Sequence, residues 1–96
     1  MIKIYGIKKE DVMKEKIYKQ PNKEEMETTI NVCYDERKLI VYTNKVPLQK
    51  QLNELIGEPK VEYKIKRSIS GSVWEISFNE KIKIQRLLIK ANIYEL

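Results

Sequence analysis

The sequence predicts an α+β fold, in which two β-hairpin–helix units form an antiparallel sheet covered by helices. Two observations carry this prediction: apolar and polar residues alternate in two paired stretches, and each pair is followed by apolar residues at helical spacing. The length of 96 residues is typical of one domain. We expect an N-terminal appendage with a strand and a short helix (1–26) and a hairpin-helix-hairpin-helix core (27–96).

The appendage contains the most polar part of the chain, and Pro21 is its clearest break. Ile2 and Ile4 alternate with lysine as in a short strand. Met13 and Ile17 are four residues apart and would share one face of a short helix.

The first hairpin is predicted over residues 28–43, where apolar and polar residues alternate on both sides of a polar turn at 35–38. Three cross-strand pairs follow from that turn: Tyr34 with Leu39, Val32 with Val41, and Ile30 with Thr43. One face of the hairpin would then be almost entirely apolar and would face the core.

An amphipathic helix is predicted next, with Asn44 as its N-cap and Pro47 in its first turn. Its apolar stripe repeats at i, i+4, i+7 and i+8: Leu48, Leu52, Leu55 and Ile56. Gly57 and then Pro59 are expected to end it. Such a stripe needs a sheet to cover, which the two hairpins supply.

The second hairpin shows the cleanest alternation, with Gly71 placed in its predicted turn after Ser70. Its apolar side comprises Val61, Tyr63, Ile65 and Ile69, and the return strand covers 72–78. This register sets Ile65 opposite Ile76, Tyr63 opposite Phe78, Trp74 beside Arg67, and Lys66 across from Glu75 on the outer face. Tyr63, Trp74 and Phe78 are therefore predicted to pack inside.

A last helix is predicted after Asn79, its expected N-cap. The apolar positions fit i, i+3, i+4 and i+7: Ile84, Leu87, Leu88 and Ala91. Residues 81–84 would equally suit a strand, but the longer period favours a helix.

The composition argues against an enzyme. The chain has no histidine and one cysteine, Cys33, so it lacks the usual acid-base catalyst and the usual soft-metal ligands. Its three glycines lie far apart and form no phosphate-binding loop. We expect no catalytic residues, no metal site and no cofactor. The absence of an apolar run long enough to cross a bilayer indicates a cytoplasmic protein without a membrane partner.

The net charge of +5 favours an anionic partner. The candidate binding residues are basic positions on the second hairpin and last helix, expected to form one positive surface, together with an exposed ring: Lys64, Lys66, Arg67, Lys83, Arg86, Lys90 and Tyr42. A basic hairpin beside a helix resembles the wing of a winged-helix DNA binder. The alternative is that these cations simply keep the surface solvated.

Four blocks of sequence carry a family resemblance: ETTINVCYD (27–35), LIVYTN (39–44), IGEP (56–59) and SVWEISF (72–78). Over residues 27 to about 89 the chain resembles a family of short, poorly characterised proteins encoded in phages and other mobile elements of Gram-positive bacteria. The resemblance implies a role in DNA regulation, in transfer or replication, or in blocking a host defence. All of these act by stoichiometric binding.

Our leading functional hypothesis is a non-enzymatic, anti-CRISPR-like inhibitor that docks on a host protein or nucleoprotein complex. The alternative is a DNA- or RNA-binding accessory protein that uses the basic second hairpin and last helix. Docking would use the outer sheet face or an exposed edge strand, where backbone groups are free to pair. The sequence also leaves a homodimer open.

Overall fold

A computed structural model describes residues 16–89 of the chain. Ile2, Ile4 and Met13 of the predicted appendage lie outside the described residues. Lys90 and Ala91 at the other end of the chain do so as well.

The described chain confirms the α+β fold, with two hairpin–helix units in the predicted order. The elements are β1 (Thr28–Cys33), β2 (Lys38–Thr43), α1 (Val46–Leu55), β3 (Val61–Ile65), β4 (Ser68–Ser77) and α2 (Lys81–Ile89), with short 3-10 helices at Lys23–Glu25 and Phe78–Glu80. The four strands form one antiparallel sheet in the order β1-β2-β4-β3. The two hairpins therefore meet through β2 and β4.

The core lies between the two central strands and the helices, because both helices pack against the same face of the sheet. Alternate residues of β2 and β4 supply its sheet side, and the helical stripes supply the other: Val41, Trp74, Ile76, Leu48, Leu52, Ile84 and Leu88. Trp74 is 1% exposed, and its indole Nε1 donates a 2.9 Å hydrogen bond to the Gly57 carbonyl, which ties the end of α1 to β4. We call this side of the sheet the helix-covered face and the opposite side the outer face.

The first hairpin keeps its predicted faces but not its predicted pairs. Val32 lies opposite Leu39, Ile30 opposite Val41, and Thr28 opposite Thr43, a shift of two residues. The turn occupies 34–37 instead of 35–38, because Arg37 takes a left-handed conformation (φ 53°) and Lys38 already belongs to β2. Tyr34 thus lies in the turn and is 78% exposed. A two-residue shift preserves the faces, whereas a one-residue shift would invert them.

The register predicted for the second hairpin is wrong, because its turn falls at residues 66–67 and not at Gly71. Lys66 supplies the left-handed turn residue (φ 59°), which sets Tyr63 opposite Gly71 and Val61 opposite Val73. Gly71 has a different role: a Cβ at this position would lie 2.8 Å from ring atoms of Tyr42. The glycine permits close approach of that ring.

The new register reverses several predicted orientations. Tyr63 and Ile65, expected inside, are 51% and 50% exposed, whereas Trp74 and Ile76 are buried as predicted. Phe78 is half-buried and begins a 3-10 helix in place of pairing with Tyr63. Glu75 does not face Lys66, because Lys66 lies in the turn. The Glu75 carboxylate instead accepts from Lys38 and Lys60 on the outer face.

Both predicted helices are present, with different caps. Asn44 lies before α1, but its side chain binds the chain entering β1, accepting from the Glu27 N–H at 2.8 Å and donating to the Glu25 carbonyl at 2.7 Å. Lys45 is the N-cap instead, without a side-chain cap. Asn79 lies within the 3-10 helix.

The periodicity of the two helices is largely confirmed. In α1, Leu48 and Leu52 are buried, Leu55 is 43% exposed, and Gly57 (φ 118°) follows the end of the helix. In α2, Ile84 and Leu88 are buried and Leu87 packs against the core.

Part of the predicted appendage packs on the core. The Ile69 N–H donates to the Ile17 carbonyl at 2.7 Å, and the Lys19 N–H donates to the Ile69 carbonyl at 2.8 Å. Tyr18 thereby forms a parallel bridge with Ile69, on the side of β4 where β2 has ended. The helical interpretation of Ile17 is wrong, since it lies in this extended segment.

Candidate nucleic-acid interface

The turn of hairpin β3–β4 carries most of the exposed positive charge predicted to bind a partner. Lys64, Lys66 and Arg67 are all exposed, and the left-handed turn at Lys66 makes the hairpin tight. Lys19 lies beside them, because its backbone is hydrogen-bonded to Ile69 at the start of β4. None of these four side chains forms an ion pair with another residue in 16–89. We call them the hairpin cations.

Two tyrosines lie together on the outer face, and one of them, Tyr63, belongs to the strand that leads into the hairpin turn. The rings of Tyr42 and Tyr63 meet edge to face, with centroids 6.2 Å apart and planes at 65°. Tyr42 lies over Gly71 and is half-buried, while Tyr63 presents half of its surface to solvent. Burial raises the pKa of Tyr42, and the nearby charge of Glu27 raises it further. The phenol is therefore neutral over the physiological pH range.

A cavity of about 180 Å³ extends from Tyr42 to the β3–β4 hairpin. Tyr42, Ile65 and Ser70 line it from the sheet, and Lys19 lines it from the N-terminal segment. Glu25 also borders it, so the cavity has one acidic side. A flat ring and an amine at one shallow depression suit a planar ligand that carries an anionic group.

Charge elsewhere on the outer face is largely neutralised. Glu75 accepts from Lys60 at 2.9 Å and from Lys38 at 3.0 Å, and these hydrogen bonds lower its pKa. Lys38 also pairs with Glu36 at 3.1 Å. The unpaired positive charge of this face is consequently concentrated at the hairpin end.

The structure divides the surface that the sequence predicted as one. Lys83 and Arg86 lie on α2, which follows the far end of β4, ten residues and roughly 30 Å from the hairpin turn. Lys83 pairs with Glu80 at 2.7 Å. The structure therefore keeps Lys64, Lys66 and Arg67 together at the hairpin turn and places Tyr42 against Tyr63 of the same hairpin, whereas Lys83 and Arg86 lie on the helix layer. Lys90 lies outside the described residues.

Two members of this arrangement were missed from the sequence. The sequence predicts Tyr63 in the core because it places the hairpin turn at Gly71, whereas the turn lies at residues 66–67. The charged turn residues Lys66 and Arg67, exposed in the structure, were the signal for a turn four residues earlier. Lys19 has no local signal, because a long-range backbone pairing positions it.

A second charged cluster ties the N-terminal segment to the helix layer. The Lys16 ammonium donates to Glu62 at 2.6 Å, to Glu58 at 2.7 Å and to Asn53 at 3.4 Å. Burial alone would lower the pKa of Lys16, but the hydrogen bonds to both carboxylates outweigh it and raise that pKa. The Asn53 amide in turn donates to the Tyr18 hydroxyl at 2.6 Å. Every hydrogen bond of this Lys16 cluster joins separate segments of the chain, so we interpret the cluster as structural.

Within residues 16–89 no group of three or more acidic or sulfur-bearing side chains is arranged to hold a metal ion. In the same part of the chain, no helix combines the length and apolarity needed to cross a bilayer. Comparisons with protein-family models, curated proteins and solved structures gave no match to this chain.

Proposed function

We propose that the protein binds single-stranded nucleic acid, with the hairpin cations contacting phosphates and the tyrosine pair contacting bases. The observation that carries the proposal is the half-exposed ring of Tyr63 on an open sheet face, beside cations that have no ion pair within the described chain. Proteins that bind single strands without sequence preference combine these two features.

The electrostatic part of the proposal rests on the unpaired state of the hairpin cations. A cation already bound to a carboxylate gains little from a phosphate, whereas a free one releases a counterion from the nucleic acid. Four such contacts would give a slope of log K against log salt of about −3 for a single strand. Binding is therefore expected to weaken steeply as salt rises.

The aromatic part favours a single strand over a duplex. In a duplex the base faces are stacked on one another, so they are not available to a tyrosine ring, whereas in a single strand they are. A winged-helix arrangement on duplex DNA would instead need Arg86 and Lys83 on the same surface as the hairpin. These two residues lie on α2.

The test is fluorescence anisotropy with labelled oligo-dT and oligo-U at several salt concentrations, alongside a duplex of equal length. The double variant K66E/R67E is expected to weaken single-strand binding by at least tenfold at low salt and to flatten the salt slope. Tyr63→Ala is expected to weaken binding by roughly 5- to 100-fold, the cost of losing one stacked base.

The matched control is K81E/R86E, which makes the same change in charge on exposed positions of α2. It is expected to weaken binding less than K66E/R67E, because only the long-range field changes. The proposal is wrong if no strand binds at low salt, if the duplex binds as well as the single strand, or if the α2 variant is equally impaired.

The inhibitor of a host defence complex stays a prediction from the family resemblance. It shares with the present proposal a stoichiometric mode of action. Expression of the chain during a CRISPR interference assay tests it directly, and undiminished interference would contradict it. Including K66E/R67E in the same assay would reveal whether inhibition depends on the hairpin cations.

A further inference from the structure

Strand β1 is an open edge of the sheet formed by the described residues. Its six residues, TTINVC, include no charge and no proline, and its pairing with β2 has no bulge. Ile30 and Val32 point to the helix-covered face, yet they are 40% and 45% exposed, because the helices pack over β2 and β4. An uncharged, regular edge strand of this kind is a template for pairing with another strand.

The outward-facing backbone groups of β1 can be identified from one hydrogen bond. The Asn44 N–H donates to the Glu27 carbonyl at 3.2 Å, which makes this the first hydrogen-bonded pair of the β1–β2 ladder. Because such pairs alternate along antiparallel strands, residues 29, 31 and 33 bond to β2. The N–H and C=O groups of Thr28, Ile30 and Val32 therefore point away from the sheet.

We infer that a second copy of this chain pairs with this edge, β1 against β1, antiparallel about a two-fold axis at Ile30. Ile30 then lies opposite the partner's Ile30, and Thr28 lies opposite the partner's Val32. All three outward residues find hydrogen-bonded partners in this register, which gives six new backbone hydrogen bonds. The inference is independent of the proposed nucleic-acid binding.

The side-chain pattern of β1 is self-complementary in this register. On the helix-covered face, two half-exposed isoleucines meet and each Val32 meets a threonine methyl group, so apolar surface covers apolar surface. On the outer face, Thr29 lies opposite the partner's Asn31, which pairs polar with polar. No like charges face each other within the paired strands, so a second copy fits this edge.

The other edge of the sheet explains why assembly would stop at two copies. The pairing of β3 with β4 shifts register between Tyr63 and Lys64, where β4 carries one extra residue, Ser70, and Glu62 and Lys64 place charges along β3. Bulges and charges are the features that prevent edge-to-edge pairing. Because β1 pairs with itself, the interface is isologous and closes as a dimer with no filament growth.

The ends of β1 give the dimer a characteristic salt dependence. Glu27 precedes the strand and Asp35 follows it, so antiparallel pairing brings acidic residues of the two copies near each other at both ends. Salt screens this repulsion. Dimerisation is therefore expected to tighten as ionic strength rises, opposite to the expected behaviour of nucleic-acid binding.

Sedimentation equilibrium of the full chain tests the inference. The wild type is expected to show a monomer–dimer equilibrium that shifts towards dimer in higher salt. Ile30→Lys is expected to raise the dimer dissociation constant at least tenfold. Ile65→Lys is the matched control, a half-exposed isoleucine on the other edge, and it is expected to leave the constant unchanged. Circular dichroism would verify that both variants are folded.

A cross-linking experiment checks the register without disrupting the edge. In a Cys33→Ser background, Ile30→Cys would place two thiols across the axis with Cα atoms about 5.5 Å apart, within disulfide range. Mild oxidation is expected to give a covalent dimer, and Ile65→Cys in the same background should not. The inference is overturned if the wild type is monomeric at every concentration and salt, if Ile65→Lys weakens the dimer as much as Ile30→Lys, or if larger assemblies dominate.

These outcomes can be told apart from failure of the proposed function. Lys66→Glu with Arg67→Glu lies at the opposite edge and is expected to leave dimerisation intact. Loss of nucleic-acid binding with a preserved dimer, or the reverse, would overturn one proposal and leave the other standing.

Discussion

The two edges of the sheet differ in how they are protected. At β3, Glu62 and Lys64 alternate with apolar residues, and a bulge interrupts the pairing with β4. Lys16 also reaches Glu62 at 2.6 Å from the N-terminal segment. At β1, six uncharged residues pair regularly with β2. Exposure of apolar side chains does not distinguish the two edges, since both strands expose them.

What distinguishes the edges is the state of the backbone and the placement of charge. Val61, Tyr63 and Ile65 are 37–51% exposed, much like Ile30 and Val32. At β3, however, the irregular pairing with β4 and the charges between the apolar residues oppose pairing with another strand, while the Tyr63 ring stays accessible. The β3 edge therefore suits ligand binding through side chains, and the β1 edge suits pairing through the backbone.

The largest expected effect comes from proline substitutions that test the alternation of backbone groups along β1. Asn31→Pro removes an N–H that bonds to β2 and should destabilise the fold by about 3 kcal/mol. Ile30→Pro removes an N–H that points outward and should cost about 1 kcal/mol, mainly through side-chain loss and backbone strain. Urea unfolding of both variants measures the difference.

These unfolding measurements are made at a concentration where the wild type is monomeric, so that dimer contacts do not contribute. Equal destabilisation by the two prolines would show that the outward groups of β1 are misassigned, and the comparison of the two edges would then fail.

An intermediate loss of stability is expected for Gly71→Ala, which tests the packing of the Tyr42 ring between Gly71 and Tyr63. The added Cβ would lie 2.8 Å from the Tyr42 ring and would force that ring away from Tyr63. Overpacking of this kind should cost about 1–3 kcal/mol. The measurement is the free energy of unfolding, alone and in a Tyr42→Ala background. In the Tyr42→Ala background the clash is absent, so Gly71→Ala should lower the free energy of unfolding by less. An equal loss in both backgrounds would show that the Tyr42 ring is not the source of the strain.

The smallest effect is expected for Lys16→Met, which removes the cation that reaches the β3 edge. The loss of partly buried hydrogen bonds should cost about 1 kcal/mol near neutral pH. Because the folded state raises the pKa of Lys16, its stabilisation is fully present below the ordinary lysine pKa and disappears as pH rises through the raised value.

Unfolding free energies of wild type and Lys16→Met should therefore converge at strongly alkaline pH. Lys64→Met, which removes an unpaired cation from the same edge, is the control and should change stability by less than about 0.5 kcal/mol. If the gap for Lys16→Met persists unchanged above its raised pKa, the charge of Lys16 is not the source of the stabilisation.

Local sequence patterns predict some residues of the candidate site, whereas strand register decides the position of the others. Lys64, Lys66, Arg67 and Tyr42 were identified from charge and alternation, which are local properties. Alternation predicts Tyr63 in the core only if Gly71 is a turn residue, whereas Gly71 lies under the ring of Tyr42 from the neighbouring strand β2. The sequence groups Lys83 and Arg86 with the hairpin because proximity along the chain cannot show that the length of β4 separates them.

Local sequence patterns are enough to predict the element types of the core, their order and most of its inward-facing residues, including Trp74, Leu48 and Ile84. These depend on periodicity, which each segment carries within a few residues. Contacts between separate parts of the chain instead set the hairpin registers, the position of Lys19 and the contrast between the two sheet edges. Alternation alone permits several pairings: an even shift, as in the first hairpin, keeps the same face apolar, whereas the odd shift in the second hairpin turns Tyr63 and Ile65 to the outer face. Contacts between distant residues, such as the Tyr42 ring against Gly71, select one of them.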